Sequence, residues 1–255
     1  MLETFSLSWR VAVRHWLIFR KDLFANVSPT IIDPTLFLIC LGLGLGAYVN
    51  QVEGLSYARY VAPGLAVSTA LFTAFFECSY NFYVRLTFEN IYKAILTTPI
   101  GPREILFGEF IWIVLKGMGM TSMVTLWLVV FGFCHWEYAL LMPILGGLVS
   151  FACGALGLIA SSLVKNINQF QTVYSLVISP MFFFSGIFFP IKDLFWPLRW
   201  LANLSPFYHG VSLGQHILWA RELGVGLAIH GSALLALSFL LGAIAYRRVH
   251  PLLYK

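Results

Sequence analysis

The chain has 255 residues, of which 59% are hydrophobic and 11% are charged, and its formal net charge is +5. So few charged residues cannot cover an ordinary water-facing surface. The composition therefore excludes a soluble globular protein and indicates that lipid is the solvent.

Six long stretches that are almost free of charged residues dominate the chain. Each approaches or exceeds the roughly 20 residues that a helix needs to cross a hydrocarbon layer of about 30 Å. Their predicted bounds are 34–52, 60–81, 108–133, 139–163, 168–190 and 224–246. The pattern predicts an all-α, polytopic membrane protein in which residues 1–255 form one transmembrane domain, with no room for a separate soluble domain.

The N-terminal segment, residues 1–28, carries aromatic and basic side chains ahead of the first span. Between 5 and 24 they recur at mixed helical spacings, which is typical of a helix that lies flat in the membrane interface. Pro34 then opens the first span, since a proline in the first turn of a helix loses no backbone hydrogen bond. Gly42 and Gly46 have the GxxxG spacing, which favours a close helix–helix contact over a phosphate-binding loop.

The basic residues of the connections fall mainly on one side of the membrane. The second connection contains Arg85, Lys93 and Arg103 and the fourth contains Lys165, whereas the third contains no Lys or Arg. The positive-inside rule therefore places both termini and the even connections in the cytoplasm, where anionic lipid rather than nucleic acid is the expected partner. The long fifth connection is still expected outside, because long loops count little in the rule. Its basic residues are Lys192, Arg199 and Arg221.

The second connection, residues 82–107, is the most informative polar segment. The stretch from Glu89 to Leu96 predicts a short amphipathic helix, which ends before Pro99 because the residue that precedes a proline disfavours helical backbone. A short cytoplasmic helix held between two spans is well placed to receive a mechanical push from a partner. On composition alone, an ordinary interfacial loop explains the segment equally well.

The fifth span is broken at its outer end. Pro180, Gly186 and Pro190 interrupt the helical pattern, and many aromatic residues follow. Backbone that is broken at membrane depth is tolerated only where protein buries it or where it lines a wet cavity. We therefore expect a partly re-entrant element at 186–204 and an interfacial helix at 207–222, which together cap the outer face.

Ionisable residues inside the spans are scarce, and each is costly enough in lipid to suggest a function. Glu109 is expected near the cytoplasmic interface, where its cost is small. Lys116 lies deeper, and three explanations are open: a pair with Glu77, contact with an anionic substrate group, or snorkelling to the cytoplasmic side. His209 and His216 are expected to be interfacial hydrogen-bonding residues.

The sequence contains no pattern of catalytic residues. The motifs GxSxG, HExxH and GxxxxGK[ST] are absent, and the cysteines lack metal-binding spacing. The chain therefore has no visible site for ATP hydrolysis, so uphill transport would draw on an ion gradient or on a separate subunit. Ion-coupled carriers show more buried carboxylates or broken helices at the midplane, which makes a carrier the weaker interpretation.

Four stretches together resemble one family of membrane proteins. They are Tyr60-Val61-Ala62-Pro63-Gly64, Glu89 to Ile100, Ser185-Gly186-Ile187-Phe188-Phe189-Pro190 and Asn203-Leu204-Ser205-Pro206-Phe207-Tyr208-His209. In this order and at these spacings, the chain resembles a type 2 ABC transporter permease of the lipooligosaccharide exporter branch related to nodulation factors. The likeness covers nearly the whole chain.

The resemblance implies a permease dimer, of identical or different chains, paired with two ATP-binding cassette subunits in a bacterial inner membrane. The partner subunits would bind ATP and Mg²⁺, and this chain would hold no cofactor. The stretch that matches 89–99 would dock on the ATPase. Its candidate coupling residues are Glu89, Asn90, Tyr92, Lys93, Leu96, Thr97 and Pro99.

The resemblance also implies export of an amphiphile, such as a lipo-oligosaccharide, a lipid-linked glycan or a hydrophobic small molecule. The candidate substrate-path residues are Phe75, Phe76, Glu77 and Lys116, although phenylalanines that merely face lipid are an alternative for the aromatic pair. The expected outer re-entrant residues are Gly186, Phe188, Phe189, Pro190, Pro206 and Tyr208. A proton-coupled carrier and a membrane scaffold without transport activity are the competing functions.

Overall fold

The computed structural model describes residues 2–49, 51–134, 136–219 and 225–254, and within these ranges it contains helices and no β-strand. The α-helices are α1 Leu2–Phe19, α2 Leu23–Ile39, α3 Tyr57–Phe76, α4 Phe82–Thr87, α5 Ile91–Ile95, α6 Pro102–Val130, α7 Trp136–Ala139, α8 Met142–Leu163, α9 Gln169–Val173, α10 Ser179–Phe183, α11 Trp196–Asn203, α12 Pro206–Leu218 and α13 Val225–Val249. The predicted all-α class is confirmed. The predicted start of the last span at 224, the end of the interfacial helix at 222 and Arg221 lie outside the described residues.

Within the described part of the chain, five helical runs are long and apolar enough to cross a membrane. They are Glu3–Ala47, Tyr57–Thr87, Pro102–Val130, Met142–Leu163 and Val225–Tyr254. They overlap the predicted first, second, third, fourth and sixth spans.

The predicted fifth span, 168–190, is shorter than expected. Its helical turns run from Gln169 to Phe183, fewer than the roughly 20 residues of a full crossing. The helix stops because the chain turns at Gly186, whose φ of 88° is open to glycine but not to most side chains. A sixth span therefore stays a prediction.

The first span differs from its predicted start. Pro29 and Pro34 both lie inside α2, and a 3₁₀ turn at Arg20–Asp22 joins α2 to α1 in one helical run. At membrane depth no water is available for the backbone groups that a helix end exposes, so an apolar helix continues through a proline. The Thr35 hydroxyl, which donates to the Ile31 carbonyl at 2.6 Å, supplies a local hydrogen bond beside the second proline.

The N-terminal helix α1 packs along α6. Its buried face consists of Ser8, Val11, Ala12, His15 and Phe19, a stripe at helical spacing. The aromatic residues that mark the segment in the sequence, among them Trp9 and Trp16, remain on the exposed face. The predicted amphipathic character is therefore confirmed, but one face of the helix binds protein.

Helix α8 is the central helix of the bundle and contacts α3, α6, α12 and α13. Its inward faces are built from small residues, which allow neighbouring backbones to approach closely. The contact with α6 is the tightest. A Cβ atom on Gly117 would collide with the Ser150 side chain, and one on Gly146 would lie 2.6 Å from Thr121 Cβ. In the first span, the GxxxG prediction holds at Gly42, where a Cβ atom would lie 3.0 Å from Ala58 Cβ.

The predicted outer element packs on the first turns of α3, at the end of α3 away from residues 88–101. The carbonyl of Gly186 accepts hydrogen bonds from the Tyr60 hydroxyl and from the Gln215 side chain, each at 3.0 Å. Ile187 is buried against Gly64, where a Cβ atom would come within 2.5 Å of the isoleucine side chain. The broken backbone is thus covered by protein, as membrane depth requires.

The other predicted residues of this element divide between buried and exposed positions. Pro206 is buried at the start of α12, Phe188, Pro190 and Tyr208 are partly buried, and Phe189 is 36% exposed. The described part of the predicted interfacial helix at 207–222 is α12, which is buried against α3, α8 and α13, and its position at the membrane interface stays a prediction. The exposed tryptophans instead belong to α11.

We expect Gly117→Ala to destabilise the bundle, because the added methyl collides with the Ser150 side chain across the α6–α8 contact. Overpacking of this kind costs about 1–3 kcal/mol. Thermal unfolding in detergent measures the effect. Gly119→Ala is the matched control, since its Cβ meets nothing within 4 Å. Ser150→Gly should restore stability to the Gly117→Ala variant, and equal melting of all variants would contradict the packing assignment.

Candidate functional site

An ion-pair network lies where α3, α4 and α6 meet. Arg85 at the end of the second span bridges two carboxylates: its Nη1 lies 2.6 Å from Glu77 Oε1 and its Nη2 lies 3.0 Å from Glu109 Oε2. Lys116 Nζ approaches the other Glu77 oxygen at 2.7 Å. The pairing of Lys116 with Glu77, one of three explanations open from the sequence, is therefore the one observed. Each carboxylate is balanced by a cation.

Two further side chains complete the network at Glu109. His15 Nε2 lies 2.8 Å from Glu109 Oε1, and the Tyr92 hydroxyl donates to the same oxygen at 2.5 Å. Arg85 Nε in turn donates to the Tyr92 oxygen at 3.0 Å. The network thus joins the N-terminal helix α1 and the short helix α5 to two spans.

Glu109 is completely buried, with no exposed side-chain surface. The position of Glu109 near the cytoplasmic interface stays a prediction, but the expectation that its charge would cost little does not hold for a side chain that is buried in protein. An isolated buried carboxylate costs several kcal/mol, and this cost is offset only when partners supply charge and hydrogen bonds. Burial also raises the pKa of the Tyr92 phenol, so this residue stays a neutral donor to Glu109 at physiological pH.

A π-helical turn at Glu77–Asn81 sets the geometry of the network. Glu77 and Arg85 are eight residues apart on one helical run. In an uninterrupted α-helix, which rotates about 100° per residue, eight steps leave two side chains about 80° apart. A π turn accommodates one extra residue and reduces this angle to about 20°, which brings both side chains to one face. The local widening therefore makes the ion pair possible.

The coupling residues that the resemblance implies split into two groups. Glu89, Asn90, Lys93, Thr97 and Pro99 are exposed. Leu96 is partly buried, and Tyr92 is 1% exposed. Tyr92 is therefore inaccessible to a partner and instead anchors the segment to Glu109.

The short helix of this segment begins at Asn90. Its φ of 53° is in the left-handed region, which asparagine tolerates better than most residues. This turn lets α5 fold back beneath α4, where Tyr92 packs at a centroid distance of 5.0 Å from Phe82.

A cavity of about 490 Å³ opens beside the network, between α2, α3, α6 and residues 174–183. Phe76, Glu77 and Lys116 line it, whereas Phe75 is buried in the core and does not. Its remaining walls combine apolar with polar side chains: Asn26, Pro29, Thr30, Asp33, Pro34, Phe37, Leu65, Ser68, Thr69, Phe72, Thr73, Asn81, Met120, Tyr174, Ser179, Phe182 and Phe183. Such a mixed lining suits a ligand with both apolar and polar parts.

Sequence reasoning missed His15 and Arg85 as members of the network. Four buried residues recur at helical spacing in the sequence: Ser8, Ala12, His15 and Phe19. The prediction for this segment was based on the aromatic residues, which lie on the opposite, exposed face. In the sequence, Arg85 contributes only to the positive charge that predicts how the chain is oriented in the membrane. Its role depends on the π turn, for which the sequence gives no recognisable signal.

A second polar contact lies in the predicted outer element. His209 Nε2 is 2.9 Å from the Asn203 carbonyl oxygen, so this nitrogen must carry the proton of a neutral ring. His209 Nδ1 is then an acceptor, and it lies 2.9 Å from His230 Nδ1, which donates. His216 donates through Nδ1 to the Ser212 carbonyl in its own helix. Within the described residues, no group of three or more His, Cys, Asp or Glu residues has a geometry that could hold a metal ion.

Comparison with known proteins gives one family match across most of the chain. A family model described as ABC-2 type transporter matches residues 7–219. Nodulation protein J of Sinorhizobium fredii is 29% identical over 89% of this chain and 85% of its own length. Nodulation protein J of Rhizobium meliloti is 28% identical over 95% of this chain and 93% of its own length. The inner membrane transport permease YadH of Escherichia coli is 25% identical over 73% of each chain.

We expect Tyr92→Phe to lower the stability of the protein while it preserves the packing of the ring. The substitution removes a hydrogen bond to a buried carboxylate, and bonds to charged groups contribute about 1.5–3 kcal/mol. Thermal melting in detergent measures the loss. Tyr80→Phe is the matched control because Tyr80 is 44% exposed. If both variants melt like the unmodified chain, the Tyr92 hydroxyl does not support the network.

We also expect stability to fall below neutral pH through the histidine pair. Burial lowers the pKa of His209, so the folded state resists protonation more than the unfolded chain, whose histidine titrates near 6.5. The contribution of His209 is full above that value and falls by at most about 1.4 kcal/mol per pH unit below it. Melting temperatures between pH 7 and pH 5 measure this.

The double variant His209→Gln/His230→Gln should show a smaller drop over the same range, because neither amide titrates. His216→Gln is the control and should keep the full drop. An unchanged pH profile in the double variant would contradict the role of the pair.

Proposed function

Since this chain belongs to the ABC-2 type transporter family, we propose that it is the permease subunit of an ATP-driven exporter that moves an amphiphilic substrate across a bacterial inner membrane. The printed names of the relatives, nodulation protein J and inner membrane transport permease, support this proposal. So do the five helices long and apolar enough to span a membrane. ATP and Mg²⁺ would bind to a separate ATP-binding cassette subunit, and this chain would supply no catalytic residue.

The observation that carries the proposal is the link between Tyr92 and Glu109. The exposed residues of the segment at 89–99 offer a surface to a partner, while Tyr92 ties the same segment to the network beneath it. A displacement of α5 must therefore move Glu109 with it or break the hydrogen bond of Tyr92 to a buried carboxylate, which would cost about 1.5–3 kcal/mol. In a permease driven by a separate ATPase, this link transmits the motion of the partner to the spans.

The cavity beside the network is the proposed substrate path. Its phenylalanines suit an acyl chain or another apolar group, and Lys116, Asp33 and the hydroxyl groups of Ser68 and Thr69 suit a polar head. A lipo-oligosaccharide, a lipid-linked glycan and a hydrophobic small molecule share this chemistry. A second permease copy is the proposed neighbour that completes the path. Two ATPase subunits would then serve the dimer.

The proton-coupled carrier is less well supported by the site. A proton relay needs a carboxylate that loses its counter-ion during the cycle. Glu77 contacts both Arg85 and Lys116, and Glu109 contacts Arg85, His15 and Tyr92. Each carboxylate therefore has a cationic partner within the network. A scaffold without transport activity would leave the polar cavity unexplained.

We expect Glu89→Ala/Lys93→Ala to uncouple the ATPase without loss of the fold, because both side chains are exposed and form none of the network contacts described above. The chain is purified in mild detergent together with its ATP-binding subunit, and ATP hydrolysis and the ratio of the subunits are measured. Lys165→Ala is the matched control, an exposed cation at the same end of the bundle outside the segment.

Loss of the ATPase from the double variant but not from the control would support the docking assignment. Unchanged hydrolysis and transport in the double variant would contradict it. If the unmodified chain purifies alone and supports no ATP hydrolysis, the exporter assignment itself fails, and the carrier and the scaffold become the leading functions.

A further inference from the structure

An apolar groove runs between α1 and α6 on the side of α6 away from α8. Its volume is about 440 Å³, and almost all of its lining is apolar, with Trp9 and Trp16 on one wall and Leu115 and Met123 on the other. Gly119 forms part of its floor. A Cβ atom at this position would meet nothing within 4 Å, so the space in front of the glycine is open.

The dimensions of the groove match one leaflet of a membrane. The α6 residues that line it run from Trp112 to Met123, a helical rise of about 16 Å. Half of a hydrocarbon core of about 30 Å is about 15 Å. One acyl chain of the leaflet that surrounds α1 therefore fits along the groove.

A polar cavity of about 230 Å³ adjoins the groove and shares Phe19, Trp112 and Lys116 with it. Two hydrogen-bond donors of residues that line this cavity are buried and have no partner: Arg14 Nη1 and Trp112 Nε1. An unsatisfied buried donor costs about 1–3 kcal/mol, more when it is charged, so two at one cavity indicate a missing acceptor.

The charges around the cavity favour an anion as that acceptor. Glu77 is already paired with Arg85 and Lys116. Arg14 forms no ion pair within the described residues, although Glu89 also lines the cavity. A guanidinium group prefers a planar or tetrahedral oxyanion such as a phosphate, and an indole N–H is a donor only.

We infer that an anionic membrane phospholipid binds between α1 and α6, with an acyl chain in the apolar groove and its phosphate at Arg14 and Trp112. The bound lipid would hold α1 against α6, where His15 contacts Glu109. It would thus stabilise the buried network from the membrane side. The inference concerns a resident lipid and does not depend on which substrate the protein transports.

The test uses the purified full-length chain and measures lipid binding by native mass spectrometry and thermal stability. We expect phosphatidylglycerol to bind and to raise the melting temperature more than phosphatidylcholine does. Arg14→Gln should weaken phosphatidylglycerol binding about tenfold, the loss expected for one charge-assisted contact. Arg10→Gln is the control, because Arg10 is an exposed cation of the same helix that does not line the cavity.

A second pair of variants tests the groove. Gly119→Trp should fill it and reduce binding of both lipids, while Gly231→Trp, also in open space on α13, should not. If Gly119→Trp does not fold, Met123→Trp fills the same groove from a position that is 40% exposed.

Three outcomes would overturn the inference. One is equal binding of the two lipids, and another is equal loss in the Arg14 and Arg10 variants. The third is full stabilisation by inorganic phosphate or glycerol phosphate alone, which would make the site a phosphate site without a lipid tail.

Discussion

The described structure depends on one guanidinium group that lies between two buried carboxylates. Arg85 contacts Glu77 and Glu109 at 2.6 and 3.0 Å, and its own side chain is 11% exposed. Removal of any one of these charges leaves another without its counter-ion in a medium of low dielectric constant, where the loss is far larger than in water. Lys116 makes the arrangement electrically neutral, and Tyr92 and His15 fill the remaining acceptor sites of Glu109. The elements that carry these residues are α1, α5, α6 and the helical run from Tyr57 to Thr87, and they must therefore move together or not at all.

This ion-pair network explains why the short helix α5 and the N-terminal helix α1 meet two long helices at one place. Helix α5 is too short to be stable on its own, and α1 is exposed on much of its surface. Apolar burial alone would not fix α1, because lipid competes for apolar surface as well as protein does. A directional contact with a buried charge fixes each of them: Tyr92 for α5 and His15 for α1. Elsewhere, close packing of small residues, as between Gly117 and Ser150, is sufficient.

Hydropathy and charge predicted the helical class and most spans, because both depend on the local composition of the chain. They also raised the pair of Lys116 with Glu77, since an acid and a base at similar depth attract each other. They failed where geometry depends on distant contacts. The burial of Glu109 was not predicted because it comes from α1 and α5, which the local sequence does not reveal. The break after Phe183 was predicted from Pro180 and Gly186, but the length of helix before it was overestimated because apolar composition does not distinguish a full crossing from a half crossing.

Helix α3 connects the two polar ends of the molecule. Together with its π turn and α4 it runs from Tyr57 to Thr87, a rise of about 46 Å over its 31 residues. At one end Tyr60 bonds the Gly186 carbonyl, and at the other Glu77 bonds Arg85 and Lys116. Most of this run is buried, so it cannot bend freely between the two contacts. If Tyr92 and Arg85 tilt this helical run at one end, Tyr60 must therefore move at the other end, and its hydrogen bond to Gly186 must be strained. In the proposed exporter, this run would be the physical route by which a push at residues 89–99 loosens the broken backbone at 186–190, without a separate signal through the proposed substrate cavity.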